Sequence, residues 1–337
     1  MDTKRLLGCI PSVIQAAKAK DRGELSNEAQ VARLAAPWDK TEQPSIITYD
    51  KTWREHLEEL ASAYDILRDF GRMPSAWSIA KFFGYDLERL CGTTQRTNDC
   101  TAWGVSRAST CLALYQMWIG AEIRCDKLNP SGNYAYSSEL TPRAGERVPD
   151  NGRTIYAAAL ASCKYGNFSV GDIGEYDGRA AYTAAMIKTQ PDAAQRQTGW
   201  VYLDDSYTAE QLADIVILSL RACKPVIIGN TTALQDGAEL NADGVYVSRV
   251  GGGWGGGHCT AAVDVKKVGA NYYPWVYNSH GNLYKTTTDA PAAGTYITRE
   301  GLIRYLSGNY ADVMLSTYTE SPRVTNTNLN PGGSRRA

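Results

Sequence analysis

Apolar and polar positions change their period once along this chain. From Trp53 to Phe70 the segment WREHLEELASAYDILRDF repeats its apolar residues at steps of three and four, with Leu60, Tyr64 and Leu67 on one face, which predicts an amphipathic helix. The next stretch, MPSAWSIAKFFGYDLERL, reads as a helix pair, with Ala80 and Gly84 at the separation of a helix-turn-helix. It has few basic residues to hold phosphates, so plain packing is the better reading. From Cys100 the residues Ala102, Trp103, Val105, Ala108, Cys111, Leu112, Tyr115, Trp118 and Ile119 are apolar over more than one face, which predicts a central helix packed on several sides.

Between about 126 and 200 the turn signals NPSGN, PDNG and GDIGEYDG surround one helical piece, TIYAAALASCKYG. SYTAEQLADIVILSLRAC opens on a Thr208-x-x-Gln211 capping box and runs apolar at helical spacing. Thereafter KPVIIGNT, DGVYVSRV, TAAVDVKKV, YYPWVYN and YADVMLSTY are short runs rich in Val, Ile and Tyr, separated by Gly, Asn and Asp, and read as strands. The front is helical and the back is β, an α+β class. No internal repeat is visible.

With 337 residues, 43% of them hydrophobic, the chain can bury a substantial core. Its 35 basic and 36 acidic residues leave a net charge of -1, so no global field draws in nucleic acid or an anionic membrane. No apolar run reaches the length of a bilayer span, and the start MDTKRLLGCIPSVIQAAKAKDRGE has too short an apolar core for a secretory signal. The expectation is a protein kept in the cytoplasm or carried in a particle such as a virion. The eight cysteines form no CxxC pair, which removes zinc ribbons and thioredoxin-type motifs.

The chain has three histidines, His56, His258 and His280, so any imidazole base is one of them. His258 follows the run GGGWGGG, where a backbone without side-chain bulk admits a close approach. Twenty residues on, Asn278 ends an apolar strand and begins NSHG. A Cys at a helix start, a His at a strand start and an Asn at a strand end carry a mechanism. A helix N-terminus and a neighbouring imidazolium lower a thiol pKa from near 8.5, and the thiolate attacks a carbonyl. An amide can orient the imidazole, and an upstream Gln can donate to the oxyanion. Gln95 stands upstream of Cys100.

In this order the segments QRTNDCTAW, KPVIIG, DGVYV, GGGHCTAAVDV and VYNSHG resemble the papain-like cysteine peptidases over roughly 230 residues. The resemblance implies a two-lobed fold, with a helical lobe carrying the central Cys helix and an antiparallel β lobe. It assigns Cys100 as nucleophile, His258 as base, Asn278 as orienting amide and Gln95 as oxyanion donor. There are departures: Gln95 stands one residue closer to Cys100 than is usual, Thr101 replaces an aromatic, and Thr97 stands where a cysteine is usual. His280 holds the place of a tryptophan that covers the His and Asn pair, which implies a wetter His258–Asn278 bond.

The resulting expectations are a helical extension over 1–75 that stands apart from the catalytic lobes, a peptidase domain over 76–320 and a polar tail over 321–337. The reaction is hydrolysis of peptide or isopeptide bonds through a thioester, with a peptide or protein substrate and no cofactor. A cell-wall amide hydrolase is the enzymatic alternative. The other is a papain-fold structural component of a virus or phage particle or another assembly, docking through residues 1–75 and the tail. Cys259 beside His258 does not make a metal site, because adjacent strand residues point to opposite faces. GGGWGGG is not a phosphate cradle, since a strand and no Gly-Lys-Ser/Thr follows it.

Overall fold

The computed structural model describes residues 45–69, 71–91, 94–119, 125–138, 143–178, 181–189, 196–197, 199–284, 290–308, 310–317 and 319–320. Among them nine strands form one sheet, in the order β1 (Ser45–Thr48), β3 (Gly199–Leu203), β10 (Ala311–Ser316), β4 (Val226–Leu234), β7 (Val250–Val268), β8 (Asn271–Tyr277), β9 (Gly294–Tyr296), β6 (Tyr246–Val247) and β5 (Glu239–Leu240). β2 (Arg196–Gln197) pairs separately with β11 (Thr319–Glu320). The pairings are antiparallel except β1 with β3 and β6 with β9. The α+β organisation expected from helices ahead of strands is therefore present.

Alternation along the central strands explains why the sheet is covered on both faces. Ile227, Ala261, Val263, Trp275 and Tyr277 point into one core with Cys100, Val105 and Ala108 of the helix Cys100–Trp118. Val226, Ile228, Ala262 and Val276 point into the other, which holds residues of the helices Lys51–Asp69, Ala209–Arg221 and Arg299–Leu306. A third, smaller core joins Ala102 to Tyr134, Phe168 and Tyr182 of the helical part. Every residue from Cys100 to Tyr115 is buried, so this helix is central, as its all-round apolar pattern requires.

The capping box at Thr208 is formed: Thr208 N–H donates to Gln211 Oε1 at 2.8 Å and Gln211 N–H to Thr208 Oγ1 at 3.3 Å. NPSGN, by contrast, is not a plain turn. Asn129 caps a buried helix, Pro130–Tyr136, by accepting from Ser131 N–H at 3.0 Å, and Pro130 occupies the first turn where a missing N–H costs nothing. The strand Gly199–Leu203 and the Thr298-capped helix Arg299–Leu306 were likewise not anticipated.

The described part of the expected 1–75 extension is built into the body. β1 pairs with β3 along the sheet, and Leu57 and Ala61 of the following helix are fully buried in a shared core. Arg68 donates to the carbonyls of Arg221 (2.8 Å) and Leu220 (3.2 Å), tying the last turns of two helices together, while Asp65 pairs with Arg221 at 2.6 Å. A separate unit cannot bury an edge strand and a helix face in this way. Residues 1–44 and the tail 321–337 lie outside the described residues.

Candidate active site

Cys100 is the first residue of its helix, after Asp99 at the N-cap, and it is completely buried. Asp99 O accepts from Ala102 N–H (3.0 Å) and Trp103 N–H (3.2 Å), so the earlier N–H groups of the turn do not enter the helix ladder and leave a positive end beside the sulfur. One turn on, Gly104 lies against β7. A methyl group there would come within 2.7 Å of Cys259 Sγ and 3.4 Å of Thr260 O. The start of the helix therefore runs beside the strand that carries His258. Burial pushes the Cys259 thiol up, and the charge of the nearby Cys100 adds to this.

β7 continues through the glycine-rich run without a break from Val250 to Val268. Gly252 and Gly255 take φ of +69° and +78°, open to glycine and strained for other residues, where the register against β4 shifts between Asn230 and Leu234. His258 then pairs with Asn230, and β8 brings Asn278 alongside by pairing Tyr277 with Ala261. His258 Nε2 lies 2.9 Å from Asn278 Oδ1, and Asn278 Nδ2 donates to Tyr284 Oη at 2.7 Å. The second bond orients the amide so that its oxygen faces the imidazole and accepts from Nε2–H. That tautomer presents a lone pair at Nδ1, the form able to take a thiol proton.

The expected wetter His–Asn bond is not found. His258 and Asn278 are both completely buried, and two rings cover His258. Trp254 tilts over it at 4.6 Å between centroids, and His280 stacks on it at 4.5 Å with 20° between the planes. Trp254 also meets His280 edge-on at 5.3 Å. Trp254 and His280 together cover the His258 ring. Trp254 and Tyr284 were not singled out from the sequence; their one local signal is closeness in sequence to His258 and Asn278.

The segment ahead of the Cys helix is held at several points. Gln95 N–H donates to Ser279 O at 2.9 Å, and Ser279 Oγ donates to Gln95 Oε1. Gln95 Nε2 donates to Thr97 O at 3.2 Å. Arg96 N–H donates to Tyr176 Oη at 2.8 Å and Asn98 N–H to Asp150 Oδ1 at 2.6 Å. Gly281, at φ +84°, sits where a Cβ would be 2.5 Å from Thr94 Oγ1, so the NSHG segment and the Gln95 segment touch backbone to side chain. Gln95, Ser279 and Asn278 are in this way fixed as one group. His56, the remaining histidine, packs on Trp53 in the helix Lys51–Asp69 and is no part of it.

Two buried charges flank the site. Burial pushes the Asp99 carboxyl up to about 7, against the opposing hydrogen bond from Tyr176. Arg107, two turns along the helix, lies over the Tyr277 ring at 3.9 Å and the Trp103 ring at 4.8 Å, and its burial pushes the guanidinium pKa down. Among the other thiols, burial pushes Cys163 and Cys223 up to about 12, and a hydrogen bond to Cys91 raises Cys111.

No protein-family model and no curated protein matches this chain. Several solved structures are similar in chain path. Xylellain, a cysteine protease from Xylella fastidiosa, is 12% identical at a TM-score of 0.45, over 67% of this chain and 82% of its own. Procathepsin B S9 from Trypanosoma congolense is 12% identical at 0.46, over 94% of this chain and 100% of its own. The cysteine protease and lectin-like domains of Cwp84, a surface layer associated protein of Clostridium difficile, are 14% identical at 0.43, over 94% of this chain and 61% of their own.

Proposed function

We propose that this chain is a papain-like cysteine peptidase that cleaves peptide or isopeptide bonds through a thioester. The observation that carries the reading is the dry 2.9 Å bond from His258 to an Asn278 amide oriented by Tyr284, on the strand that packs against the Cys100 helix. In this mechanism His258 Nδ1 takes the Cys100 proton and the thiolate adds to the scissile carbonyl carbon. The oxyanion accepts from Gln95 Nε2 and from the Cys100 N–H at the helix start. His258 returns its proton to the leaving amine as the C–N bond breaks, and then activates the water that hydrolyses the thioester.

Full burial of Cys100 favours a second reading, in which the same fold serves as a non-catalytic component of an assembly. Iodoacetamide at pH 6, with peptide mapping of the alkylated residue, separates the two. A peptidase labels first at Cys100, and Cys100→Ala and His258→Ala each abolish cleavage of a fluorogenic peptide library while the fold is kept. Uniformly slow labelling, or first labelling at Cys91 or Cys259, overturns the peptidase reading.

A further inference from the structure

The ring stacked on His258 is itself an imidazole. This is an unusual choice for a cover, because an apolar ring excludes water without adding a proton site, whereas His280 changes charge close to the pH range in which His258 works. The planes of His258 and His280 lie 20° apart with centroids at 4.5 Å, closer than either ring lies to Trp254. A neutral imidazole face attracts an imidazolium, and a second imidazolium at that distance repels it.

We propose that His280 is a positioning residue that supports the His258 imidazolium only while its own ring is neutral, so that its protonation switches the site off in acid. The inference rests on the peptidase reading of Cys100 and His258. His280 packs against β7, which contributes the titratable His258 and the neutral Trp254. Its own segment contributes Asn278, Ser279 and Tyr284, and the segment before the Cys helix contributes Thr94 and Gln95. Among the described residues of the site, Tyr284 and, at the helix start, Cys100 and Asp99 are also titratable. Protonation of His280 places two cations face to face. The imidazolium of His258 is then disfavoured, and with it the thiolate it stabilises. Loss of reactivity in acid accordingly takes up two protons, one on Cys100 and one on His280.

The test is the pH dependence of Cys100 alkylation by iodoacetamide from pH 4 to 8, in the full chain and in His280→Phe, which keeps a ring and removes the proton. Each is repeated with Asp99→Asn so that the Asp99 titration is subtracted. At the acid end of the range, once both groups have taken up their protons, the rate in the unaltered chain should fall about a hundredfold per pH unit, and in His280→Phe about tenfold. A ring that acts only by packing lowers the rate equally at every pH and leaves the slope alone, and that result overturns the inference while sparing the peptidase reading. If Cys100 reacts no faster than free cysteine at any pH, the peptidase reading falls and this inference with it. Should His280→Phe fail to fold, proton NMR of the unaltered chain decides the matter, since it has three histidines. His258 and His280 should titrate in linked steps, and independent titration of the two overturns the proposal.

Discussion

Gly104→Ala tests whether close contact between the Cys helix and the His strand sets the site. In an isolated helix the change gains about 1 kcal/mol, because alanine is the better helix former. Here the added methyl meets Cys259 Sγ at 2.7 Å, Thr260 O at 3.4 Å and Ile227 Cγ2 at 3.7 Å. The first contact is about 1 Å inside ordinary packing distance, and Cys259 is a short buried side chain inside a paired strand. Overpacking of this kind costs about 1–3 kcal/mol, so the net effect should be a loss of about 1 kcal/mol. Removing the obstacle reverses the sign: in a Cys259→Ala background the same substitution should stabilise by up to about 1 kcal/mol, a coupling of about 2 kcal/mol. Urea unfolding of the four proteins measures this. Since a 1 Å displacement at a reacting pair can cost about a hundredfold in rate, Cys100 alkylation at pH 6 should slow in Gly104→Ala and recover in the double variant. Additive effects, or a Gly104→Ala protein more stable than its parent, refute the reasoning.

Two further outcomes follow from buried polar groups. Asp99 has its folded pKa raised to about 7 from 3.8, so the folded state holds the proton more tightly and stability falls as pH rises from about 4 to 7. Asp99→Asn should remove this slope and gain up to about 4 kcal/mol at pH 8, with little gain at pH 4, in urea titrations at the two pH values. Tyr284→Phe removes the acceptor of Asn278 Nδ2 inside a dry site, and should cost about 1–3 kcal/mol and lower kcat more than it raises KM, because the amide loses its fixed orientation toward His258. An unchanged kcat in that variant counts against an orienting role for Asn278.

Local signals were enough for much of this protein. The helix from Cys100 is predicted by apolar residues on every face, the helix after Thr208 by its capping box, and the main strands by Val, Ile and Tyr runs between turn residues, since each depends on neighbours within a few positions. The order Gln95, Cys100, His258, Asn278 stands in the sequence as a pattern of residue types at element ends. What the chain order could not contain is contact across more than 150 residues. Gly104 meeting Cys259, β1 joining β3 and Arg68 closing the end of another helix arise when the sheet is assembled, and they are why 45–69 belongs to the body. The same holds for the dryness of the His258–Asn278 bond. One position read alone made His280 a poor cover, whereas Trp254, where the register of β7 shifts ahead of His258, tilts over the same ring, and exclusion of water depends on everything packed around a bond and not on the residue that stands at one place in a motif.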